Sequence, residues 1–301
     1  MVFLARLGTG WFEMFPATPS WGNGMWRSAL IPFEARVHKI RMPQPPRIIQ
    51  ITAVAFSVRQ IDFHITVAGE VVPCVVWKPD TPATPQTLVA LGHGGSQHKK
   101  SETICDRAIH YASHFGWCCL AIDAPGHGER TTRELADAER RTIERRLAGD
   151  ANAPSLSPSE KIAFLDALAA QAVPEWQAAL DVTLASLAPT AVSIGYWGVS
   201  QGTWIGVPLL AKEQRFQCAV LGLAHLHPQH HAFGEAAKRI EIPLRFAFQW
   251  DDPIRNREYG IALFNAFGAS DKSMHINPGG HTDIPATEAE SWDVFFQRHL
   301  Q

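Results

Sequence analysis

From about residue 87 onward, short continuous apolar runs alternate with stretches of helical spacing. The runs are TLVALG (87–92), WCCLAID (117–123), AVSIGYWGV (191–199), FQCAVLGLA (216–224), PLRFAFQW (243–250) and KSMHINPGG (272–280). Uninterrupted runs of this length, separated by helices, predict parallel strands buried on both faces. Two β-rich runs precede them, RIIQITAVAF (47–56) and the alternating IDFHITVAGEVVPCVVW (61–77). Val67-Ala68-Gly69-Glu70 is expected to form a hairpin turn between the two or within the second. The predicted architecture is an open α/β sheet, mostly parallel, with an antiparallel start and helices on both faces.

The interval between Asp123 and Ala191 is too long for a simple crossover. Ser157-Pro158-Ser159-Glu160 combines a capping serine, a proline at the first helical position and a glutamate at the third, which is a capping box. It predicts a helix to about Val173, with a second opened by Pro174 and running through Leu187. Upstream, TTRELADAERRTIERRLAG (131–149) predicts a solvated helix. The stripe Ile162, Phe164, Leu165, Leu168 and Ala169 must bury itself, either on the flank of the sheet or within a helical cap over 129–173 that walls a pocket. Pro208 falls inside the helix predicted after residue 200 and should kink it. Residues 1–47 carry Trp11, Trp21 and Trp26 and have six prolines from Pro16 to Pro46; they are expected to be an irregular arm over a domain spanning 48–301.

Composition adds exclusions. The chain has 301 residues, 46% of them hydrophobic, and a formal net charge of −2. This gives no electrostatic reason to expect nucleic acid or an anionic membrane as partner. No apolar run reaches the roughly 20 residues of a membrane span, and the first residues lack the pattern of a signal peptide. The five cysteines include no CxxC, and Cys118-Cys119 lie in an apolar run, which points to reduced thiols and a cytoplasmic location. A homodimer is left open.

Gly198-Val-Ser-Gln-Gly202 follows one predicted buried strand and opens a helix, the context in which G-x-S-x-G means a serine presented on a sharp turn. A serine hydroxyl needs a base. Among 14 histidines, His281 is the candidate, because NPGGHT puts it on a glycine-rich turn after the last predicted strand. A carboxylate must orient the imidazole. Asp251 and Asp252 end the preceding strand, and the order Ser, Asp, His is that of an α/β-hydrolase triad. The cluster His225, His227, His230 and His231 has metal-ligating residue types but no evident acidic partner, so the expectation is that it lines or rims a pocket, with no metal.

From about Thr87 to the end the chain resembles the α/β-hydrolase superfamily, and within it dienelactone-hydrolase-like and prolyl-oligopeptidase-like serine esterases. Leu91-Gly-His-Gly-Gly-Ser96 resembles their oxyanion loop, and Asp123-Ala-Pro-Gly-His-Gly128 their D-x-P-G-x-G turn. Ser200 and His281 match the family nucleophile and histidine. Asp252, continued by Pro253-Ile254, matches the triad aspartate better than Asp251, although Gln249 stands where the family often has glycine. The resemblance implies an oxyanion hole from the Gly95 and Gln201 N–H groups, and a helical insertion after the strand ending at Asp123. Pocket residues expected on position are His93, His127, Glu129, Arg130, His225 and His227, with Glu129 and Arg130 gripping a charged substrate or pairing with each other or the cap. The implied activity is cleavage of an ester, thioester or related small-molecule acyl bond through an acyl-enzyme, with no cofactor. Alternatives are a peptide or carbon–carbon bond, or an inactive hydrolase fold used for binding.

Overall fold

The computed structural model describes residues 57–81, 86–187 and 192–300, together with the backbone of short strands β1 (Leu4–Leu7), β2 (Gly10–Glu13) and β3 (Arg47–Ile49). β4 (Val58–Val67) and β5 (Glu70–Pro79) form the antiparallel hairpin. Its turn consists of Ala68 and Gly69, both at positive φ (50° and 87°), the backbone twist that suits a two-residue hairpin loop. Then follow β6 (Thr87–Gly92), α1 (Glu102–Phe115), β7 (Cys118–Ile122), α2 (Arg133–Leu147), α3 (Pro158–Leu187), β8 (Ser193–Val199), α4 (Gln201–Leu210) and β9 (Phe216–Gly222). α5 (His231–Lys238), β10 (Leu244–Gln249), α6 (Arg257–Ala266), β11 (Lys272–Asn277) and α7 (Ala286–Leu300) complete the chain.

One nine-stranded sheet runs in the order β11-β10-β9-β8-β6-β7-β5-β4-β3. It is parallel from β11 to β7 and antiparallel from there to β3. Period-two alternation sorts its side chains into two cores. Leu88 and Ala90 of β6 face a layer with α3 and α4, while Val89 and Leu91 face Tyr111 of α1 and Trp292 and Phe296 of α7. The chain goes from β6 to β7 on one side and then to β8 on the other, so the strand order reverses around β6. In sheets of this kind ligands bind beyond the carboxyl ends of the strands at such a reversal.

Three sequence expectations are corrected. The arm is not wholly irregular, because β1 and β2 pair antiparallel, Leu4 opposite Glu13. Arg47–Ile49, at its expected end, pairs with β4 as the sheet edge; 50–56 lie outside the described residues. The two helices expected to meet at Pro174 are one, α3. An interior proline costs about 3 kcal/mol. Here the buried stripe continues unbroken through Leu165, Leu168, Ala172, Trp176, Leu180 and Leu187, and each large apolar side chain so buried contributes about 1.5–3 kcal/mol. Packing on both sides of Pro174 therefore outweighs the lost hydrogen bond. The same stripe removes Leu168 from any pocket wall: it is buried in the core beside the sheet. No described helix is long and apolar enough to cross a membrane.

Candidate active site

Ser200 stands between β8 and α4 with φ 56° and ψ −115°, a conformation that costs a non-glycine residue on the order of 1–3 kcal/mol. Its surroundings hold it there. Ser200 N–H donates to Gly222 O at 2.9 Å. Thr203 Oγ1 sits 2.9 Å from Gly198 O and 2.6 Å from Gly222 O, and accepts from Gly222 N–H at 2.8 Å. One hydroxyl thus stitches the ends of β8 and β9 beneath the serine. Gly202 is required by contact: a Cβ there would lie 2.5 Å from the Gly92 carbonyl oxygen, at the root of the next loop.

His281 Nε2 lies 3.0 Å from Ser200 Oγ, and its Nδ1 lies 2.6 Å from Asp252 Oδ2. Asp252 and His281 are buried, while Ser200 keeps partial access to solvent. Burial pushes the His281 pKa below its ordinary value; the Asp252 hydrogen bond opposes this, and the positive charges of Arg255 and Lys161 add to the depression. Asp252 Oδ1 accepts from Ile254 N–H at 2.9 Å. The neighbouring Asp251 is exposed and turned the other way, accepting from Gly279 N–H at 3.2 Å. Gln249 is fully buried and its amide donates to Pro278 O (3.3 Å) and Asp283 O (2.7 Å). It therefore ties the end of β10, just ahead of Asp252, to the turn that carries His281.

The loop after β6 faces this group from the other side. Gly94 N–H donates to Gln97 Oε1 at 3.0 Å. Gln201 opens α4, so its N–H has no carbonyl one turn earlier; among the described residues neither it nor Gly95 N–H donates to another backbone carbonyl. A Cβ on Gly95 would lie 3.4 Å from Gln201 Oε1 and 3.4 Å from Ile143 of α2, which brings α2 over this loop.

His93 is buried, donating from Nδ1 to Gly94 O (2.8 Å) and accepting Ala124 N–H at Nε2 (3.0 Å). Burial, with His127 beside it, pushes its pKa down to about 3, so it is a neutral strut between two loops. Asp123 is fixed by Lys99, whose backbone N–H and Nζ each donate at 2.8 Å. Glu129 accepts from Lys99 and lies against His64. Arg130 forms a bidentate pair with Glu175 of α3 at 2.7 and 2.8 Å, both side chains nearly buried. Glu129 and Arg130 are thus not a grip for substrate: a short turn (Gly128–Arg130) points each at a partner inside the protein. His127 packs on His93 and its Nε2 lies 3.5 Å from Glu139 of α2. Burial alone would lower the His127 pKa, but Glu139 raises it, and Glu139 also accepts from Ser96 N–H.

The histidine cluster divides. His230 is buried, meets Asp166 of α3 at 2.8 Å and stacks on Trp204 and Phe233, so an acidic partner exists and the residue is structural. His231 opens α5, exposed. His227 sits edge-on to Tyr259. Of the four, His225 lies in the neighbourhood of Asp252; burial and the charges of Arg255 and Lys161 push its pKa down to about 3. Among the described residues no three His, Cys, Asp or Glu side chains are grouped to hold a metal ion.

Sequence reasoning passed over Arg255, three residues after Asp252. Its Nε donates to Leu223 O (2.7 Å) and its Nη1 to Ile254 O (3.2 Å), leaving Nη2 on Ser200 Oγ at 3.3 Å. Lys161, in the first turn of α3, and Arg146, in the last turn of α2, complete a cationic flank. No local pattern could have found them, because three separate elements bring them together.

No protein-family model matches the chain, and comparison with curated proteins gives no match either. Among solved structures it is similar to a cold-adapted esterase from an Arctic intertidal metagenomic library, in its PEG-bound complex, at 32% identity over 85% of this chain and 98% of that one, with a TM-score of 0.64. An acetyl xylan esterase from Paenibacillus sp. R4 shares 15% identity over 88% of this chain and 89% of that one, with a TM-score of 0.57. A dienelactone hydrolase from Anabaena variabilis shares 17% over 85% and 99%, with a TM-score of 0.55; at such identity these two speak for the fold alone. The strand order and the esterase similarity agree: the chain belongs to the α/β-hydrolase superfamily.

Proposed function

We propose that the protein is a serine esterase that cleaves a small acyl ester through a covalent acyl-enzyme. The observation that carries this reading is the unbroken line Asp252–His281–Ser200, with contacts of 2.6 and 3.0 Å. His281 Nε2 takes the Ser200 proton as Oγ attacks the ester carbon, and then gives it to the departing alkoxide. Asp252 holds the ring with Nδ1–H inward and stabilises the imidazolium. A water, deprotonated by the same nitrogen, hydrolyses the acyl-enzyme and returns the hydroxyl to Ser200. The Gly95 and Gln201 N–H groups would receive the oxyanion, a contribution of about 3–4 kcal/mol per donor. No step needs a metal or cofactor.

The insertion after β7 takes a narrower role than a whole cap over 129–173. We assign pocket cover to α2, which has no fully buried residue and reaches the oxyanion loop through Glu139 and Ile143, whereas α3 from Leu165 onward belongs to the core. The decisive experiment is fluorophosphonate labelling beside hydrolysis of 4-nitrophenyl butyrate. Wild type should do both, and Ser200→Ala neither, with an unchanged circular dichroism spectrum. A folded Ser200→Ala that still cleaves the ester would refute the assignment, and an unlabelled wild type would favour an inactive binding fold.

A further inference from the structure

Among the described residues, the cations beside the nucleophile have no carboxylate partner that accounts for them. Arg255 is clamped by two carbonyl oxygens so that Nη2 points at Ser200 Oγ. The carboxylate that acts on Arg255 and on Lys161 is Asp252, and its two oxygens already serve His281 and Ile254. Arg146 follows Glu139 and Ile143 at seven and three residues along α2, the face turned toward the oxyanion loop. These like charges repel: burial, then Arg255 and Arg146, lower the Lys161 pKa to about 8. Burial, with Arg146 adding, lowers that of Arg255 to about 10. The buried Lys99 and Arg130 are paired with carboxylates, Asp123 and Glu175, whereas Arg255 and Lys161 have no carboxylate in ion-pair contact among the described residues. Like charges left to repel each other beside Ser200 are placed to receive an anion.

We propose that the substrate is a hemiester of a short dicarboxylic acid, whose free carboxylate is received by Arg255, Lys161 and Arg146 while its ester carbonyl meets Ser200. This rests on the hydrolytic reading above and adds the substrate class. The reach sets the length. Nη2 is 3.3 Å from Oγ, and a charge-assisted hydrogen bond adds about 2.8 Å, so about two or three carbons fit between the scissile carbonyl and the carboxylate. Hydrolysis consumes one water and releases the dicarboxylate and an alcohol. The planar guanidinium suits bidentate recognition of that carboxylate.

The test compares kcat/KM for mono-4-nitrophenyl glutarate and for 4-nitrophenyl valerate, close in chain length and different in charge. Wild type should prefer the glutarate hemiester by about tenfold or more; Lys161→Gln and Arg146→Gln should each lower that ratio several-fold, as expected for losing one charged hydrogen bond, and Lys161→Arg should restore it. A second measurement does not depend on turnover: at constant ionic strength, glutarate should raise the Tm of Ser200→Ala, and Lys161→Gln in that background should remove the rise. If valerate ester is cleaved through Ser200 but the hemiester is no better and glutarate gives no Lys161-dependent shift, the anion site is refuted and the esterase reading stands. If neither ester is cleaved while the glutarate shift depends on Lys161, the anion site stands and the hydrolytic reading falls.

Discussion

Shortening Leu168 and shortening Ile143 should have opposite consequences, and the pair decides which helix bounds the pocket. Leu168 is 1% exposed within the core shared by α3 and the sheet. A leucine-to-alanine change in such surroundings removes buried methyl groups and leaves a cavity, at a cost of about 2–5 kcal/mol. In a chain of this size each kcal/mol lowers Tm by about 2–4 °C, so Leu168→Ala should lose at least about 4 °C and leave the preference between 4-nitrophenyl butyrate and octanoate unchanged. Ile143 lies on α2, where no residue is fully buried, and its Cδ1 stands 3.4 Å from where a Gly95 Cβ would be. Ile143→Ala should cost about 1 kcal/mol or less. By opening space beside the loop after β6 it should shift preference toward octanoate by about tenfold, the scale of one or two methylenes in an apolar pocket. Differential scanning fluorimetry and kcat/KM on the two esters read both effects. A Leu168→Ala protein with full Tm and altered chain-length preference, beside an unaltered Ile143→Ala, would refute the assignment of cover to α2.

Asp252→Asn should lower kcat by about 10⁴-fold by favouring the wrong tautomer of His281, whereas exposed Asp251→Asn loses only its contact with Gly279; the reverse order in steady-state kinetics would reassign the acid. The acid limb of kcat/KM should lie below the ordinary histidine range, because burial, Arg255 and Lys161 all disfavour the protonated ring of His281. Removing the positive charge in Lys161→Gln should move that limb to higher pH, and a limb that stays or moves lower would contradict the placement of Lys161. Gln249→Met leaves two carbonyls without their donor, each worth about 1–3 kcal/mol when buried; it should slow fluorophosphonate labelling of Ser200 more than tenfold by loosening the His281 turn, and an unchanged labelling rate would make Gln249 a purely structural residue.

What the sequence announced was local. The capping box at Ser157 holds, with Ser157 N–H on Glu160 Oε2 at 2.9 Å and Glu160 N–H on Ser157 Oγ at 3.4 Å. The serine turn was legible because Gly198, Gly202 and Thr203 are its chain neighbours, although Gly222, which also holds it, is not. Buried strands were readable as apolar runs for the same reason. Pro174 misled because its cost is local, while the compensation, a stripe from Leu165 to Leu187, is contact with α4 and the sheet. Arg130 misled in a similar way: its sequence position is near the crevice, but Glu175, 45 residues later, takes its guanidinium. Gln249 was visible as an oddity, though its use depends on Pro278 and Asp283 arriving beside it.

The cationic flank also bears on the proposed role of His281 as the base. A general base works best when it is neutral at the working pH yet able to accept a proton in the transition state. In the free protein His281 is pulled both ways, since Asp252 raises its proton affinity while burial, Arg255 and Lys161 lower it. The balance keeps the imidazole neutral and ready, but a weaker base than an isolated histidine. A carboxylate docked against Arg255 and Lys161 would offset their charge and raise the proton affinity of His281 at the moment Ser200 must release its proton. The same anion would draw Arg255 Nη2 from Ser200 Oγ, its present acceptor, and free the oxygen lone pair for attack. A neutral ester of equal length offers neither effect. Discrimination by charge should therefore appear in kcat as well as in KM, as expected where a substrate group remote from the reacting bond acts on the transition state.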